Sequence, residues 1–410
     1  MLATTNLHSQ HLITRRALLT TPTSSLRHFS PVVLRSLSTS RPAFAVQESL
    51  RTASASVEAS SSTAEAKEPT RSFQPHFQDA APPFATTAQQ VQEWKSSRPH
   101  ENWVMHHPVY KPEELHVDVV HLKPKTISDK LTYGMVKFAR WGFDFVSGYK
   151  HASPEAAREA ARKDGKGDLP VADLIKEGYL MSEKAWMARI LFLESIAGVP
   201  GFTAAVLRHL RSLRLMKRDG GWVNSLLQEA ENERMHLLTF MKIRDPSPFF
   251  RLLVLGAQGV FFNAFFFSYI ISPKAAHRFV GYLEEEACKT YTHVIDAIER
   301  GEIPEWDPRN PSSKKVPQVA KDYWRLPDDA TMLDLIKAVR ADEAGHRFTN
   351  HTLANLDYAN DFNPVALKHA DPVTQGTTVG FTREESLEYA KRVQEEMTGR
   401  KPEVGEKKEQ

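Results

Sequence analysis

The sequence predicts an all-α protein, and three observations predict it. From about Ile127 onward, apolar residues recur with a period near 3.6 in one long segment after another. No run alternates apolar and polar residues in the manner of a half-buried strand. The segments are also punctuated by helix-ending clusters, such as "RDPSP" at 244–248. With 410 residues, 41% of them apolar, the chain can bury one sizeable core, so one large domain with extensions is expected. We divide it into 1–47, a presequence; 48–100, a flexible arm; 101–358, the helical domain; and 359–410, a polar C-terminal tail.

Residues 1–47 contain no Asp, Glu or Lys but carry Arg15, Arg16, Arg27, Arg35 and Arg41 among many Ser, Thr and Leu. That is the composition of a mitochondrial presequence, with a plastid transit peptide as the rival; "ALLTTPTSSL" is too polar for the apolar core of a secretory signal. Cleavage is expected between Arg35 and about Glu48. The Ser/Ala/Thr/Glu-rich stretch up to about residue 100 lacks the large apolar residues a core needs and should stay extended.

The first helix is expected over 128–149, with Ser128 as N-cap and Trp141, Phe143 and Phe145 beside Lys137 and Arg140. The second covers 183–201 and continues past a kink at Pro200 with a basic face. The third covers 221–243, the fourth 249–272, the fifth 276–301 and the sixth 331–356. Beyond Asp357 the chain turns polar, apart from a short helix begun by the capping box at Thr382–Glu385. In the fourth helix Leu252 to Ile271 contains no charge and is long enough to span a bilayer. Gln258, Asn263 and Ser268 weaken that reading; a helix lying in the lipid interface beside 128–149, or a buried core helix, are the alternatives.

Bulk chemistry narrows the function. A formal charge of +3, without a basic stripe interleaved with aromatics, excludes nucleic acid as a partner. The lone cysteine, Cys288, excludes an intrachain disulfide and a Cys-rich metal cluster. Any metal must therefore be held by carboxylates and imidazoles.

Two stretches, "NERMHLLTF" and "DEAGHRFTN", share a spacing: Glu233 with His236, and Glu343 with His346. Residues three apart project from nearly the same side of a helix, so each pair can meet one metal edge. On the fifth helix Glu284 shares a face with Val280, Ala287, Cys288, Tyr291 and Ile295, whereas Glu285 neighbours Lys289 and Thr292. On the second, Glu194 falls among Met187, Ile190, Leu191, Ala197 and Gly198. A carboxylate driven into a core demands a proton, a cation or a metal. Two Glu-x-x-His helices and two single-Glu helices make up the ligand set of a ferritin-like di-iron four-helix bundle. One such motif is weak evidence and four helices in order are much stronger. The remaining histidines, His277, His293, His351 and those near the N-terminus, read as ordinary surface or packing residues. Asp342 suits the hydrogen-bonding partner of a ligating imidazole. Tyr291 fits an electron donor near the metals, or a packing tyrosine.

The blocks "LFLESIAGVPG", "NERMHLLTF", "LEEEACKTYTH" and "RADEAGHR" resemble, in order, the signature blocks of the mitochondrial alternative oxidases, over about residues 100–358. The resemblance implies a ubiquinol oxidase of fungal-like type, with two irons held by Glu194, Glu233, His236, Glu284, Glu343 and His346. It implies Tyr291 as the redox-active tyrosine and a quinol pocket at Arg189, Leu193, Leu283, Glu286, Ala287 and Thr290. Asn232, Tyr269, Tyr323, Trp324 and Asp342 match positions that support the ligands. The family further implies a monotopic homodimer on the matrix side of the inner membrane, with 128–149 and 249–272 as interfacial helices. O₂ would be reduced to water by ubiquinol without proton pumping. The N-terminal arm lacks the regulatory cysteine of plant members. Competing readings are another membrane-bound di-iron enzyme, a quinone-biosynthesis hydroxylase or desaturase, and a non-enzymatic ferritin-like iron-binding protein.

Overall fold

A computed structural model describes residues 107–149 and 152–398, all within the compact unit Phe73–Gln410. The presequence and the arm lie outside the described residues. Among those described there is no strand, and the α-helices run α1 (Ile127–Ser147), α2 (Pro154–Lys163), α3 (Val171–Lys176), α4 (Glu183–Leu215), α5 (Trp222–Ile243), α6 (Pro248–Ile271), α7 (Pro273–Glu299), α8 (Gln318–Trp324), α9 (Met332–Asn355), α10 (Pro372–Thr377) and α11 (Arg383–Thr398). The short helices α2, α3, α8 and α10 carry too few turns to show a period in sequence.

Caps set most of the helix starts. Thr126, not Ser128, caps α1, because Asp129 three residues on closes a reciprocal capping box with it. Thr331 and Asp334 do the same for α9. Ser247 and Ser272 cap α6 and α7, each followed by a proline at the first helical position, where its missing N–H costs nothing. α4 runs unbroken through Pro200.

The largest packing interfaces are α4 with α5 and α7 with α9. Small residues permit the close approach: a Cβ on Gly201 would lie 2.8 Å from the Leu226 carbonyl oxygen of α5, and one on Gly281 would lie 2.6 Å from the His351 ring of α9. These four helices bury two apolar clusters. One joins Met187, Ile190 and Leu191 of α4 to Phe240 of α5, Ile295 and Ile298 of α7, and Leu335 and Val339 of α9. The other joins Ala204 and Ala205, Trp222 and Leu226, Ala276 and Val280, and Leu353 to Phe265 and Tyr269 of α6. On each of the four helices the turn where one cluster gives way to the other carries Glu194, Glu233/His236, Glu284 or Glu343/His346. The polar layer is thus clamped between two apolar ones.

α1 and α6 lie on this bundle. α6 packs on α4 and is long and apolar enough to cross a membrane, yet only 11% of its apolar window is buried. Residues 364–398, polar in composition, carry Val365, Ala370, Tyr389 and Val393, which pack on Phe348 of α9. Buried Arg347 ties the segment down by donating to the carbonyls of Gln375, Gly376 and Thr378.

Candidate metal centre

At mid-bundle, ligand atoms of Glu194, Glu233, His236 and Glu343 all lie within 4.8 Å of one another, and so do those of Glu233, Glu284, Glu343 and His346. The two sets share Glu233 and Glu343, the pattern of two ions bridged by two carboxylates with one Glu and one His at each end. All six residues are buried.

The donor atoms converge on two neighbouring points without satisfying one another's hydrogen bonds. Glu194 Oε2, both carboxylate oxygens of Glu233, His236 Nδ1 and His346 Nδ1 are buried without a hydrogen-bond partner. His236 Nδ1 stands 3.4 Å from Glu194, 3.6 Å from Glu233 and 3.3 Å from Glu343, and His346 Nδ1 stands 2.7 Å from Glu233. Buried polar atoms left unpaired are costly, so such a cluster needs cations. Four carboxylates match the charge of two divalent ions. An oxygen and imidazole donor set without thiolate suits iron or manganese, so these residues fit a di-iron centre.

Without metal, protons take the place of the cations. Burial raises Glu194 to about 8 and, with Glu343 alongside, lifts Glu284 well above the usual carboxylate range. Burial works against the charged imidazoles, but the surrounding carboxylates outweigh it and raise His236 far above its usual value and His346 to about 9. Burial would also raise Glu233, yet His346 and His236 hold it low. A sign follows for the metal-free protein. Glu194 binds its proton more tightly folded than unfolded, so its contribution falls as pH rises from about 4.5 to about 8; that of His346 is complete below about 6.5 and lost through about 9. Each group then removes up to about 1.4 kcal/mol per pH unit where it titrates. Glu233 acts oppositely, but only in acid. The melting temperature of the metal-free protein should fall between pH 6.5 and 8, and iron loading should flatten that slope. A metal-free melting temperature that rises over this range would contradict the proton assignment.

Asp342 is the hub behind the ligands. It accepts from His236 Nε2 at 2.9 Å, Trp324 Nε1 at 2.8 Å, Asn232 Nδ2 at 3.0 Å, His107 Nε2 at 2.6 Å and the Tyr110 hydroxyl at 2.5 Å. Burial opposes its charge, but His107 and His236 hold its carboxyl well below the usual range. The bond to Nε2 leaves His236 Nδ1 facing the cluster. Asn232 also donates to Tyr323 at 3.1 Å. His107, read as ordinary from sequence, is a buried member of this network; no period marks the segment that carries it. Tyr269 lies elsewhere, bonded to His277 at 3.0 Å, and His277 reaches Asn350 at 3.0 Å. Glu285 is buried too, although Lys289 and Thr292 are its neighbours on the helix. It accepts from His121 at 2.5 Å, from the Leu122 amide at 2.9 Å and from His351 at 2.9 Å, partners 164, 163 and 66 residues away in sequence.

The Tyr291 hydroxyl donates to the Glu194 carboxylate. Burial, reinforced by Glu194 and Glu343, raises its phenol well above the ordinary value and keeps it protonated. On the flank facing α1, Arg140 donates to Glu286 at 2.8 Å and Thr290 at 3.2 Å, while Arg189 donates to Asp144 at 2.5 Å and covers the Tyr149 ring at 3.9 Å. Leu193, Leu283 and Ala287 are half-buried. Arg140 and Asp144, on α1, are the members of this array that sequence reasoning did not select; the (i, i+4) pair on an amphipathic helix was the available signal.

The helix order, the paired Glu-x-x-His helices and the doubly shared carboxylates define a di-metal carboxylate four-helix-bundle protein. The family model "Alternative oxidase" matches residues 110–355. Among curated relatives, "Alternative oxidase, mitochondrial" of Cryptococcus neoformans var. grubii is 54% identical over 289 residues, covering 70% of this chain and 70% of that one. The Emericella nidulans protein of the same name is 50% identical over 289 residues, covering 68% and 75%, and that of Blumeria graminis is 43% identical over 310 residues, covering 73% and 82%. The chain belongs to the alternative oxidase family and is an oxidoreductase, a ubiquinol oxidase of the mitochondrion.

Proposed function

We propose that the protein reduces O₂ to water with electrons from ubiquinol at a di-iron centre, on the matrix side of the inner membrane and without pumping protons. The observation that carries the iron reading is the pair of four-residue sets sharing Glu233 and Glu343, with buried unpartnered donor atoms at their centres. When bound, two irons would supply the O₂-binding and electron-accepting chemistry.

The protein's own residues supply position and proton handling. Glu286, Thr290 and Arg189, framed by Arg140 and Asp144, give a ring carrying two hydroxyls both donors and an acceptor beside the half-buried Leu193, Leu283 and Ala287. Tyr291, one helix turn beyond Ala287, links that region to the metals through its bond to Glu194. Because the phenol is held protonated, its oxidation requires proton loss, and Glu194 is the acceptor in contact.

Membrane attachment follows from two exposed apolar faces. On α1, Ile127, Leu131, Met135, Phe138, Trp141 and Phe145 recur every three or four residues and all face outward. On α6, Phe249, Leu252, Val260, Phe267 and Ile271 share one outward face as well. We place both helices in one leaflet, since α6 packs along α4 and joins α5 to α7, which meet at one centre. A third exposed row on α4, Phe202, Val206, Leu210 and Leu213, supports pairing with a second copy. Liposomes carrying the purified protein and ubiquinol should consume O₂ in the presence of cyanide and build no membrane potential. A sustained potential, or an oxygenated quinone product, would overturn the reading.

A further inference from the structure

A cavity of about 290 Å³ opens between α5, α9 and the segment 367–375, with Met397 at its rim. Neither exposed apolar helix, α1 or α6, lines it. Its wall reaches His346, Asp342 and Asn232, so it ends at the metal-binding layer. Toward the outside stand Gln228, Lys368, His369 and Gln375. Glu229 lies within it, a buried carboxylate one helix turn before Glu233 whose Oε2 accepts from Asn350 at 2.8 Å, and the metal site does not use it. Gly345 lines it as well, and a Cβ there would come within 2.8 Å of Gln375 Oε1.

A second approach to the layer is the more apolar of the two. A groove of about 420 Å³ between α4, α5 and α6 reaches Glu194 past Val199, Phe202, Leu227, Leu237 and Phe262, with Glu231, Arg234 and Gln258 also on its wall. A hydrated divalent ion cannot shed its water along such a wall without heavy cost, whereas carboxylate and imidazole groups replace water ligands stepwise. We propose that the polar cavity is the port through which hydrated ferrous ion enters and leaves the centre, with Glu229 the carboxylate that receives it on the way. This rests on the di-iron reading above and adds a route to it.

The test uses the full protein, stripped of iron and kept anaerobic. Thr349 lines the cavity at half burial without holding metal, so Thr349→Cys accepts a thiol reagent that fills the passage and is removed by reductant. The native Cys288 does not compete, being fully buried with its thiol pushed up to about 12. Ferrous ion uptake, and iron extraction by a water-soluble chelator, should both slow about tenfold or more on labelling and recover on reduction, with the final iron content unchanged. Labelling Leu227→Cys, half-buried in the apolar groove, should leave both rates alone. Glu229→Gln, which needs no label, should slow uptake several-fold at the same final content. Unchanged rates in both the labelled Thr349→Cys protein and Glu229→Gln, or slowing only on labelling the groove, would overturn the port. An unlabelled protein that takes up no iron at all would instead overturn the di-iron reading and the port with it.

Discussion

Glu233→Ala should leave the purified protein unable to hold its pair of irons and lower cyanide-insensitive ubiquinol oxidation by roughly a thousandfold or more, equivalent to about 4 kcal/mol or more of lost transition-state stabilisation. The size follows from position. Glu233 belongs to both four-residue sets, so its removal takes a donor from each, whereas loss of Glu194 or Glu284 takes one from a single set. Its carboxylate is also the group His346 Nδ1 approaches at 2.7 Å, and without it that imidazole keeps only the weaker influence of Glu229 and of Glu343 at 3.9 Å. Iron counted against protein, beside quinol-dependent O₂ uptake, checks the prediction; full activity with two irons retained would remove Glu233 from the ligand set. Glu231→Ala is the matching control, because that carboxylate points outward and pairs with exposed Arg234.

The parts of this architecture legible in sequence were those written at helical spacing. Glu-x-x-His is a local pattern, and apolar neighbours three, four and seven residues away mark Glu194 and Glu284 as inward, so the structure brings these six side chains together where the pattern aims them. The same reasoning failed for Glu285. Its sequence neighbours looked solvated, yet its burial is settled by His121 and Leu122 arriving from the strap before α1 and by His351 from α9. Contacts of that range leave no trace in a window of one or two turns. His107 and Tyr110 were illegible for the same reason: they precede the first helix and matter only because α9 presents Asp342 to them. The segment 364–398 was obscured differently, its few apolar residues being spread over several short elements with no common period. The proposal that α6 lies along the membrane rests on topology rather than composition. The sequence of α6 passes the test for crossing a membrane, and what opposes crossing is that α5 and α7, on either side of it, meet at one centre.

Asp342→Asn should weaken metal affinity by about 10- to 100-fold and destabilise the fold by about 3–5 kcal/mol, although Asp342 reaches the ligands only through His236. The wild-type carboxylate offers two oxygens to five donors from three other segments of chain: His107, Tyr110, Asn232, His236 and Trp324. An asparagine of the same shape keeps one acceptor and turns the other position into an amide that faces N–H or O–H groups already pointing at it. Some of those buried donors lose their partner, the most expensive way to break a network. His236 is left with at best a neutral amide oxygen for its Nε2 proton, so the tautomer presenting Nδ1 to the metal is held less firmly. Two readouts separate these effects. Denaturant unfolding of the metal-free protein reports the lost network, and titration with ferrous ion well below the unfolding transition reports the loosened imidazole. If affinity fell while metal-free stability held, Asp342 would act only by orienting His236. If stability fell while affinity held, it would be a structural tie between the strap, α5, α8 and α9. The geometry, with both ring-fixing and inter-segment bonds converging on one carboxylate, requires both to fall.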